Sequence, residues 1–341
     1  MASTRVPFVR GGADTIVRDL VCAMRERGHE VDTVEIPFIS AWEEMLEQML
    51  AIRLLDISNA CEALVAIRTP SYLLRHPNKR LWFIHHHRGA YDLWNTPYQD
   101  IPSTPEGLAV RDAIIAADNL YLREARRIYT NSQVVSDRLR RYNDIESEVL
   151  YPPLGASVSL RPGPAGNYVF YPSRIVGHKR QLLAVEAAAE IGTDVRVIIA
   201  GVPDDPHHLA ELEQKIATGG LRDRVELIPR WISEEEKAEL IAGSLGVLYL
   251  PFQEDSYGYV TLEAFNAHKP VITCLDSGGS LELVEDGVNG LVVEPTPGAL
   301  AGAIDRFRAN VDEAIVMGER AHQTLLHRDI NWENVVTRLL G

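Results

Sequence analysis

The stretch GVLYLPFQEDSYGYVTLEAF, residues 246 to 265, decides the fold class. It opens on an apolar run, passes through a polar loop that contains a glycine, and continues into a segment with helical apolar spacing. A short apolar run that ends at turn residues is typical of a buried strand in a parallel sheet. The stretch therefore predicts a strand, a loop and a helix, which together form part of a βαβ unit.

The same alternation continues on both sides of this stretch through the second half of the chain. Repeated strand-to-helix alternation indicates a parallel sheet covered by helices on both faces, with ligands at the carboxyl ends of the strands. Strands are predicted near 167–171, 195–200, 224–229, 246–250, 271–274 and 290–293, and helices near 179–191, 206–217, 234–242, 258–268 and 298–309.

The first half of the chain predicts a second α/β doubly wound domain. A segment rich in Pro and Gly between Tyr151 and Gly166 separates the two halves, so we place the boundary there, with domains 1–152 and 153–327. Strands are predicted at Val6 to Val9, Val31 to Ile36, Ala63 to Ile67, Leu81 to His85, Arg127 to Thr130 and Glu148 to Leu150, and helices at 13–27, 41–56, 105–125 and 133–142.

Composition excludes several classes of function. The net charge of −14 over 341 residues repels nucleic acid and anionic lipid, so any phosphate site must be a local basic pocket. The longest apolar runs fall far short of the ~20 residues that a membrane helix needs. With no signal-peptide pattern at the start, and with Cys22, Cys61 and Cys274 widely spaced and odd in number, we expect reduced core thiols in a cytoplasmic protein.

Two loops in the second half carry candidate binding residues. Arg174, Lys179 and Arg180 crowd one strand-to-helix loop, where a shared anion would explain three basic residues, although a solvated basic loop is the plain alternative. Downstream, Asp255 lies in the loop before a helix and Glu263 lies inside that helix. A buried carboxylate needs hydrogen-bond donors such as sugar hydroxyls, whereas the plain alternative is a helix-cap acid and a surface glutamate.

Together these motifs resemble the R-x4-K and E-x7-E motifs of retaining glycosyltransferases of family four. Two positions depart from the pattern: Asp255 stands for the usual Glu, with Glu254 beside it, and Arg180 replaces a common glycine. Within the family the chain is most similar to members from the avilamycin (orthosomycin antibiotic) pathway. Other matching stretches are Gly11-Gly12-Ala13, Arg27-Gly28-His29, Thr130-Asn131-Ser132, Ile199-Ala200-Gly201 and Asn331-Trp332-Glu333.

The resemblance implies a GT-B fold, in which two Rossmann-like domains face a central cleft. The N-terminal domain would bind the acceptor, with a C-terminal helix, 328–341, packing back on it. The C-terminal domain would bind a nucleotide diphosphate-sugar, with a UDP-sugar favoured over a GDP-sugar. Arg174 and Lys179 would bind the diphosphate, Asp255 the transferred sugar and Glu263 the ribose. Further donor-binding residues would be Gly11, Gly12, Gly201, Tyr257, Gly258, Tyr259, Val260, Arg230, Trp231 and Ile232.

The triplet His85-His86-His87 at a strand end invites a metal-site interpretation. Adjacent strand residues point to opposite faces, so three in a row cannot ligate one ion without a turn. The family resemblance instead places His85 near the transferred sugar, with Arg88 and Asp92 toward the acceptor. A solvent-facing histidine is the plain alternative. We expect no metal and no cofactor, since basic side chains can neutralise the diphosphate.

These observations lead to one main functional hypothesis. It is a metal-independent retaining glycosyltransferase that moves a sugar to a hydroxyl of a glycan or natural product, with a role in antibiotic oligosaccharide biosynthesis. Its partners would be the nucleotide-sugar donor and the carbohydrate or glycosylated acceptor, without nucleic acid or an integral membrane segment. A nucleotide-sugar 2-epimerase and a non-catalytic nucleotide-sugar-binding module remain open.

Overall fold

The computed structural model describes residues 1–5, 12–155 and 160–341. They divide into two compact units, one of Met1–Pro153 with Ile330–Gly341 and one of Leu154–Asp329. The predicted domains end at residues 152 and 327. The acceptor and donor roles attached to them stay predictions.

The N-terminal unit is built on a parallel sheet of six strands in the order β2-β1-β3-β4-β5-β6 among the described residues. Four helices follow the strands along the chain, and the predicted doubly wound α/β class is confirmed. The strands are β1 (Ala2–Arg5), β2 (Val34–Pro37), β3 (Leu64–Ala66), β4 (Lys79–Phe83), β5 (Arg127–Thr130) and β6 (Glu148–Val149), and the helices are α1 (Gly12–Glu26), α2 (Met45–Leu54), α3 (Pro105–Tyr121) and α4 (Gln133–Asn143).

The C-terminal unit has a second parallel sheet, whose strand order is β12-β11-β10-β7-β8-β9. Counted within the unit, the strands follow the Rossmann order 3-2-1-4-5-6, which reverses direction between β7 and β10. The strands are β7 (Tyr168–Pro172), β8 (Arg196–Ala200), β9 (Val225–Ile228), β10 (Gly246–Leu248), β11 (Val271–Cys274) and β12 (Gly290–Val293), and the helices are α5 (Gln181–Ala188), α6 (Pro206–Thr218), α7 (Glu234–Ala242), α8 (Tyr259–Asn266), α9 (Pro297–Ala309) and α10 (Val311–His327).

Helix α10 is absent from the sequence prediction. Its start carries an ordinary signal, because the Asn310 side chain accepts a hydrogen bond from the Glu313 amide at 3.2 Å. Within the helix, a Cβ at Gly318 would lie 2.1 Å from the carbonyl oxygen of His268. Gly318 therefore allows α10 to pack closely against the end of α8.

The last helix, α11 (Trp332–Leu340), is shorter than the predicted 328–341 and begins at its cap, Asn331. It belongs to the N-terminal unit. The Tyr129 hydroxyl donates to the Arg338 carbonyl at 2.8 Å, and the rings of Trp82 and Trp332 meet edge to face. Helix α11 thus covers the sheet beside β4 and β5.

Two expectations about the first unit need revision. The predicted first strand, Val6 to Val9, lies outside the described residues, and the described strand is Ala2–Arg5. The expectation of three core thiols was wrong for Cys22 and Cys61, which are exposed, because Cys22 lies on the outer face of α1 and Cys61 in a loop. No helix in the described part of the chain is long and apolar enough to cross a membrane.

Candidate active site

The two motif loops of the C-terminal unit meet at the reversal point of its sheet. Strands β7 and β10 are paired neighbours, with Phe170 opposite Val247. Lys179 follows β7 and Glu254 follows β10, so the basic and acidic loops leave adjacent strand ends. In open α/β sheets this crevice is where ligands bind.

Lys179 is buried in this crevice. Its ammonium forms an ion pair with the Glu254 carboxylate and lies 3.3 Å from the Tyr249 hydroxyl. The Lys179 carbonyl accepts a hydrogen bond from the Tyr171 phenol, so both the backbone and the side chain are held. A diphosphate that binds Lys179 would replace Glu254 as its anionic partner.

Arg174 lies at the outer end of the same loop, and its side chain is exposed. Its guanidinium pairs with the Asp204 carboxylate, and its carbonyl accepts from the Gln181 amide at 2.7 Å. Arg174 and Lys179 therefore differ in burial, because Lys179 is buried beside Glu254, whereas Arg174 is exposed and paired with Asp204.

Asp255 and Glu254 occupy different environments. The Glu254 side chain contacts Lys179, while Asp255 is buried next to it in the chain. The structure thus gives Glu254 a direct partner in the basic loop. The assignment of Asp255 to the transferred sugar stays a prediction.

Glu263 is a buried carboxylate in α8. Its Oε1 accepts from the Lys237 ammonium at 2.7 Å, and the same ammonium lies 2.8 Å from Oε2 of Glu234. Burial raises the pKa of the Glu263 carboxyl, and the Lys237 charge opposes that rise. The sequence analysis missed Lys237, because the pairing depends on the packing of α7 against α8 and not on a local motif.

Two glycines near the site are required by close backbone contacts. Gly258 has φ 74°, and a Cβ there would lie 2.3 Å from a ring carbon of Tyr249. A Cβ at Gly201 would lie 1.9 Å from the carbonyl oxygen of Ser173, which belongs to the basic loop. Both glycines therefore let the loops of the crevice approach each other.

The remaining predicted donor residues lie around these loops or outside the described chain. Tyr257 is buried just before α8, and Tyr259 and Val260 form the first turn of α8, whose amides point toward the loop. Gly12 is the first residue of α1, and Gly11 lies outside the described residues. Their contacts with a donor stay predictions.

The loop after β9 carries the residues predicted to hold the base. Arg230 forms a two-point ion pair with Glu236, at 2.7 and 3.0 Å. The Trp231 side chain is 55% exposed, whereas Ile232 is buried. The exposed indole offers a flat apolar surface, while the guanidinium is already paired.

The three histidines of the N-terminal unit follow β4 in an irregular segment and have different hydrogen-bond partners, although His85 and His87 line one small cavity. The carbonyl of His85 accepts from the Thr69 hydroxyl at 2.6 Å, and its ring lines a small cavity. His86 is buried, with Nε2 2.8 Å from Oδ1 of Asn143, and His87 lies 3.5 Å from Asp100. Among the described residues no group of three or more His, Cys, Asp or Glu side chains could hold a metal ion.

Arg88 and Asp92, predicted to face the acceptor, form an internal ion pair. Two guanidinium nitrogens of Arg88 lie 2.8 and 2.6 Å from Oδ2 of Asp92, and Arg138 reaches the same oxygen at 3.3 Å. All three side chains are largely buried. Their acceptor role stays a prediction.

The same unit contains a buried acid that the sequence analysis missed. Asp118 accepts hydrogen bonds from the Tyr91 hydroxyl at 2.7 Å and from the Tyr72 hydroxyl. Burial raises the pKa of the Asp118 carboxyl to about 6. The two tyrosines lie 27 and 46 residues away in the sequence, so no spacing could have revealed the cluster.

This geometry agrees with the comparison to known families. Residues 159–324 match the family model described as "Glycosyl transferases group 1", which covers most of the C-terminal unit. The C-terminal unit is therefore similar to group 1 glycosyltransferases, and the two parallel six-stranded sheets are those of a GT-B fold.

Individual relatives are sugar transferases. Alpha-D-kanosaminyltransferase of Streptomyces kanamyceticus is 34% identical over 203 residues, or 58% of this chain and 49% of the relative. Human alpha-1,3/1,6-mannosyltransferase is 30% identical over 207 residues, or 53% of this chain and 49% of the relative. The chain thus spans about half the length of the curated relatives it matches.

Solved structures share the fold over nearly the whole chain. Anabaena HepE in complex with UDP-glucose aligns with a TM-score of 0.73 and 17% identity, covering 99% of this chain and 97% of that one. Sucrose-phosphate synthase from Thermosynechococcus elongatus aligns with a TM-score of 0.77 and 19% identity, covering 99% and 96%.

Proposed function

We propose that the protein is a retaining glycosyltransferase that moves a sugar from a nucleotide diphosphate-sugar to a hydroxyl of a glycan or natural product. The observation that carries the proposal is the meeting of Lys179 with the acidic loop at the reversal point of the C-terminal sheet. The group 1 match over the same unit supports it.

The chemistry of this site favours departure of an anionic leaving group. As the bond between sugar and diphosphate breaks, negative charge grows on the phosphate oxygens. Lys179, and Arg174 after release from Asp204, would donate charge-assisted hydrogen bonds to them, each contributing about 1.5–3 kcal/mol. Two side-chain cations can thus meet the charge demand without a metal ion or another cofactor.

The acids of the site would hold neutral hydroxyls. Glu263 would accept from the ribose and Asp255 from the transferred sugar, and the first-turn amides of α8 would face the phosphates. The two relatives described above are named for α-glycosyl transfer. Transfer from an α-linked donor to an α-linked product keeps the configuration, which supports retention with the leaving phosphate assisting deprotonation of the acceptor.

The donor base and the biological setting extend this proposal. The Anabaena structure holds UDP-glucose, so a UDP-sugar is the first donor to test. The resemblance to the avilamycin pathway, together with the kanosaminyltransferase relative, favours a glycosylated natural product as acceptor in antibiotic oligosaccharide biosynthesis in the cytoplasm.

A thermal-shift panel of UDP, GDP, ADP and TDP tests the donor site directly. A ligand present at a hundred times its dissociation constant adds about 2.7 kcal/mol of stability to the folded state. We expect UDP to give the largest shift in the wild type and a much smaller one in Lys179→Ala, while Lys215→Ala, remote from the loop, behaves as wild type.

Product analysis then separates the possible activities. Transfer to an acceptor, or slow donor hydrolysis that continues in EDTA, supports a metal-independent transferase. Interconversion of donor sugars without an acceptor would identify a 2-epimerase instead. UDP binding with neither hydrolysis nor transfer across a broad acceptor set would identify a non-catalytic binding module.

A further inference from the structure

Arg180 has a backbone conformation that favours glycine. It lies between a turn of 3-10 helix, Gly177–Lys179, and the start of α5, with φ 57° and ψ 40°. A side chain in this left-handed region is strained, and such a residue persists where its surroundings hold it. The contacts of the Arg180 side chain show what holds it.

The guanidinium of Arg180 bridges the ends of two other strands. Its Nε donates to the Leu250 carbonyl at 2.6 Å and its Nη2 to the Pro251 carbonyl at 2.8 Å, both at the end of β10. Its Nη1 donates to Oδ2 of Asp276, after β11, at 2.8 Å. One largely buried side chain thus ties the loop after β7 to the loops after β10 and β11.

Backbone hydrogen bonds connect this bridge to the acidic loop. The Phe252 amide donates to the His178 carbonyl at 2.8 Å, and the Gln253 amide to the Asp276 carbonyl at 2.9 Å. The Gly279 amide donates to the Glu254 carbonyl at 2.9 Å. The segment that carries Glu254 is therefore held along its length by the loop after β7 and the loop after β11, both of which Arg180 also contacts or belongs to.

We propose that Arg180 is a positioning residue of the donor site, which fixes the loop after β10 so that its acids and the start of α8 keep their places against Lys179. This inference rests on the proposed function. An arginine is needed because only its planar fork presents several donors in fixed directions, toward two carbonyls and a carboxylate at once. The three donors of a lysine ammonium share one nitrogen and cannot span the same three acceptors.

The experiment uses Arg180→Gly and Arg180→Lys in the full chain. Glycine adopts the left-handed conformation freely, so Arg180→Gly removes the bridge without straining the backbone. We expect faster amide hydrogen exchange at residues 252–258, a UDP dissociation constant raised about tenfold or more, and a melting temperature close to wild type. Arg180→Lys recovers little, whereas millimolar guanidinium restores part of the UDP affinity of Arg180→Gly.

A matched control is Asp144→Gly, which places glycine at another left-handed position, φ 51°, in the N-terminal unit. It should leave both the loop exchange and UDP binding unchanged. Unchanged exchange at 252–258 in Arg180→Gly would overturn the inference, whatever the UDP affinity. Faster exchange in the variant, together with a wild type that neither binds UDP nor turns over a donor, would support the hold of Arg180 on the loop and overturn the proposed function.

Discussion

Replacing Lys237 by methionine should expose how strongly the buried acid of α8 depends on one cation. The Lys237 ammonium lies 2.7 Å from Glu263, whose side chain is 8% exposed, and 2.8 Å from the half-buried Glu234. At 2.7 Å and an effective dielectric constant of ~20, two unit charges attract by ~6 kcal/mol before desolvation is counted. Removing one partner of a buried pair lowers the free energy of unfolding by about 3–5 kcal/mol.

We expect the lower end, about 3 kcal/mol at neutral pH, because Glu263 can escape the unpaired state by taking up a proton. The loss should depend on pH in a defined direction. Burial already raises the Glu263 pKa above 4.5 in the folded state, and loss of the Lys237 charge raises it further. A carboxyl with a raised folded-state pKa stabilises the fold most below its unfolded pKa, and loses that contribution as pH rises through the folded value.

The difference in stability between wild type and Lys237→Met should therefore grow as the pH rises above 4.5, the ordinary pKa of the carboxyl. Thermal unfolding at several pH values measures it, and ~3 kcal/mol corresponds to a midpoint lowered by roughly 6–12 °C for a unit of this size. Lys215→Met is the control. The ion pair of Lys215 with Glu186 is about as short as that of Lys237 with Glu263, at 2.8 Å, but it is exposed to solvent. Such an exposed pair contributes about 0.2–1 kcal/mol to stability. Equal effects of the two variants, or an effect of Lys237→Met that does not change with pH, would refute the reasoning.

Three further predictions address the loops and the N-terminal unit. Lys179→Ala should lower turnover about a hundredfold or more through lost stabilisation of the leaving group, and near-normal turnover at saturating donor would contradict that role. Gly201→Ala should destabilise the fold by about 1–3 kcal/mol in urea unfolding, since its Cβ would lie 1.9 Å from the Ser173 carbonyl oxygen. The control Gly302→Ala, whose Cβ would meet open space, should stabilise the fold instead. Asp118, with a folded-state pKa of about 6 against 3.8, should make the free energy of unfolding fall by roughly 3 kcal/mol as pH rises between those values, and Asp118→Asn should abolish that slope in urea unfolding followed across pH.

The fold was predictable from the sequence because parallel strands and their helices carry strong local patterns. Buried strands such as β11 (Val271–Cys274) and β10 (Gly246–Leu248) coincide with short apolar runs that end at turn residues. The main omission, α10, has an ordinary cap at Asn310. Its contact with α8 depends on Gly318, because a side chain there would clash with the His268 carbonyl. The sequence does not show that this carbonyl lies opposite Gly318.

The candidate site was predictable only where the order of strands in the sequence determines which loops lie next to each other. Strand order brings the loops with Lys179 and Glu254 together, because both leave adjacent strand ends. The partners of the charged groups could not be predicted in this way. Lys237 reaches Glu263, and the Arg180 side chain reaches the ends of β10 and β11, through side-chain directions that no short motif encodes.

The last helix, α11, belongs to the N-terminal unit, and this affects when that unit can be completed during synthesis. Arg80 donates to the Leu339 carbonyl and Tyr129 to the Arg338 carbonyl, so one flank of the N-terminal sheet is covered by residues that leave the ribosome after the entire C-terminal unit. During synthesis the C-terminal unit, a continuous segment, has all its parts available while β4 and β5 still lack α11. The N-terminal unit can therefore be completed only after the C-terminal unit has been synthesised.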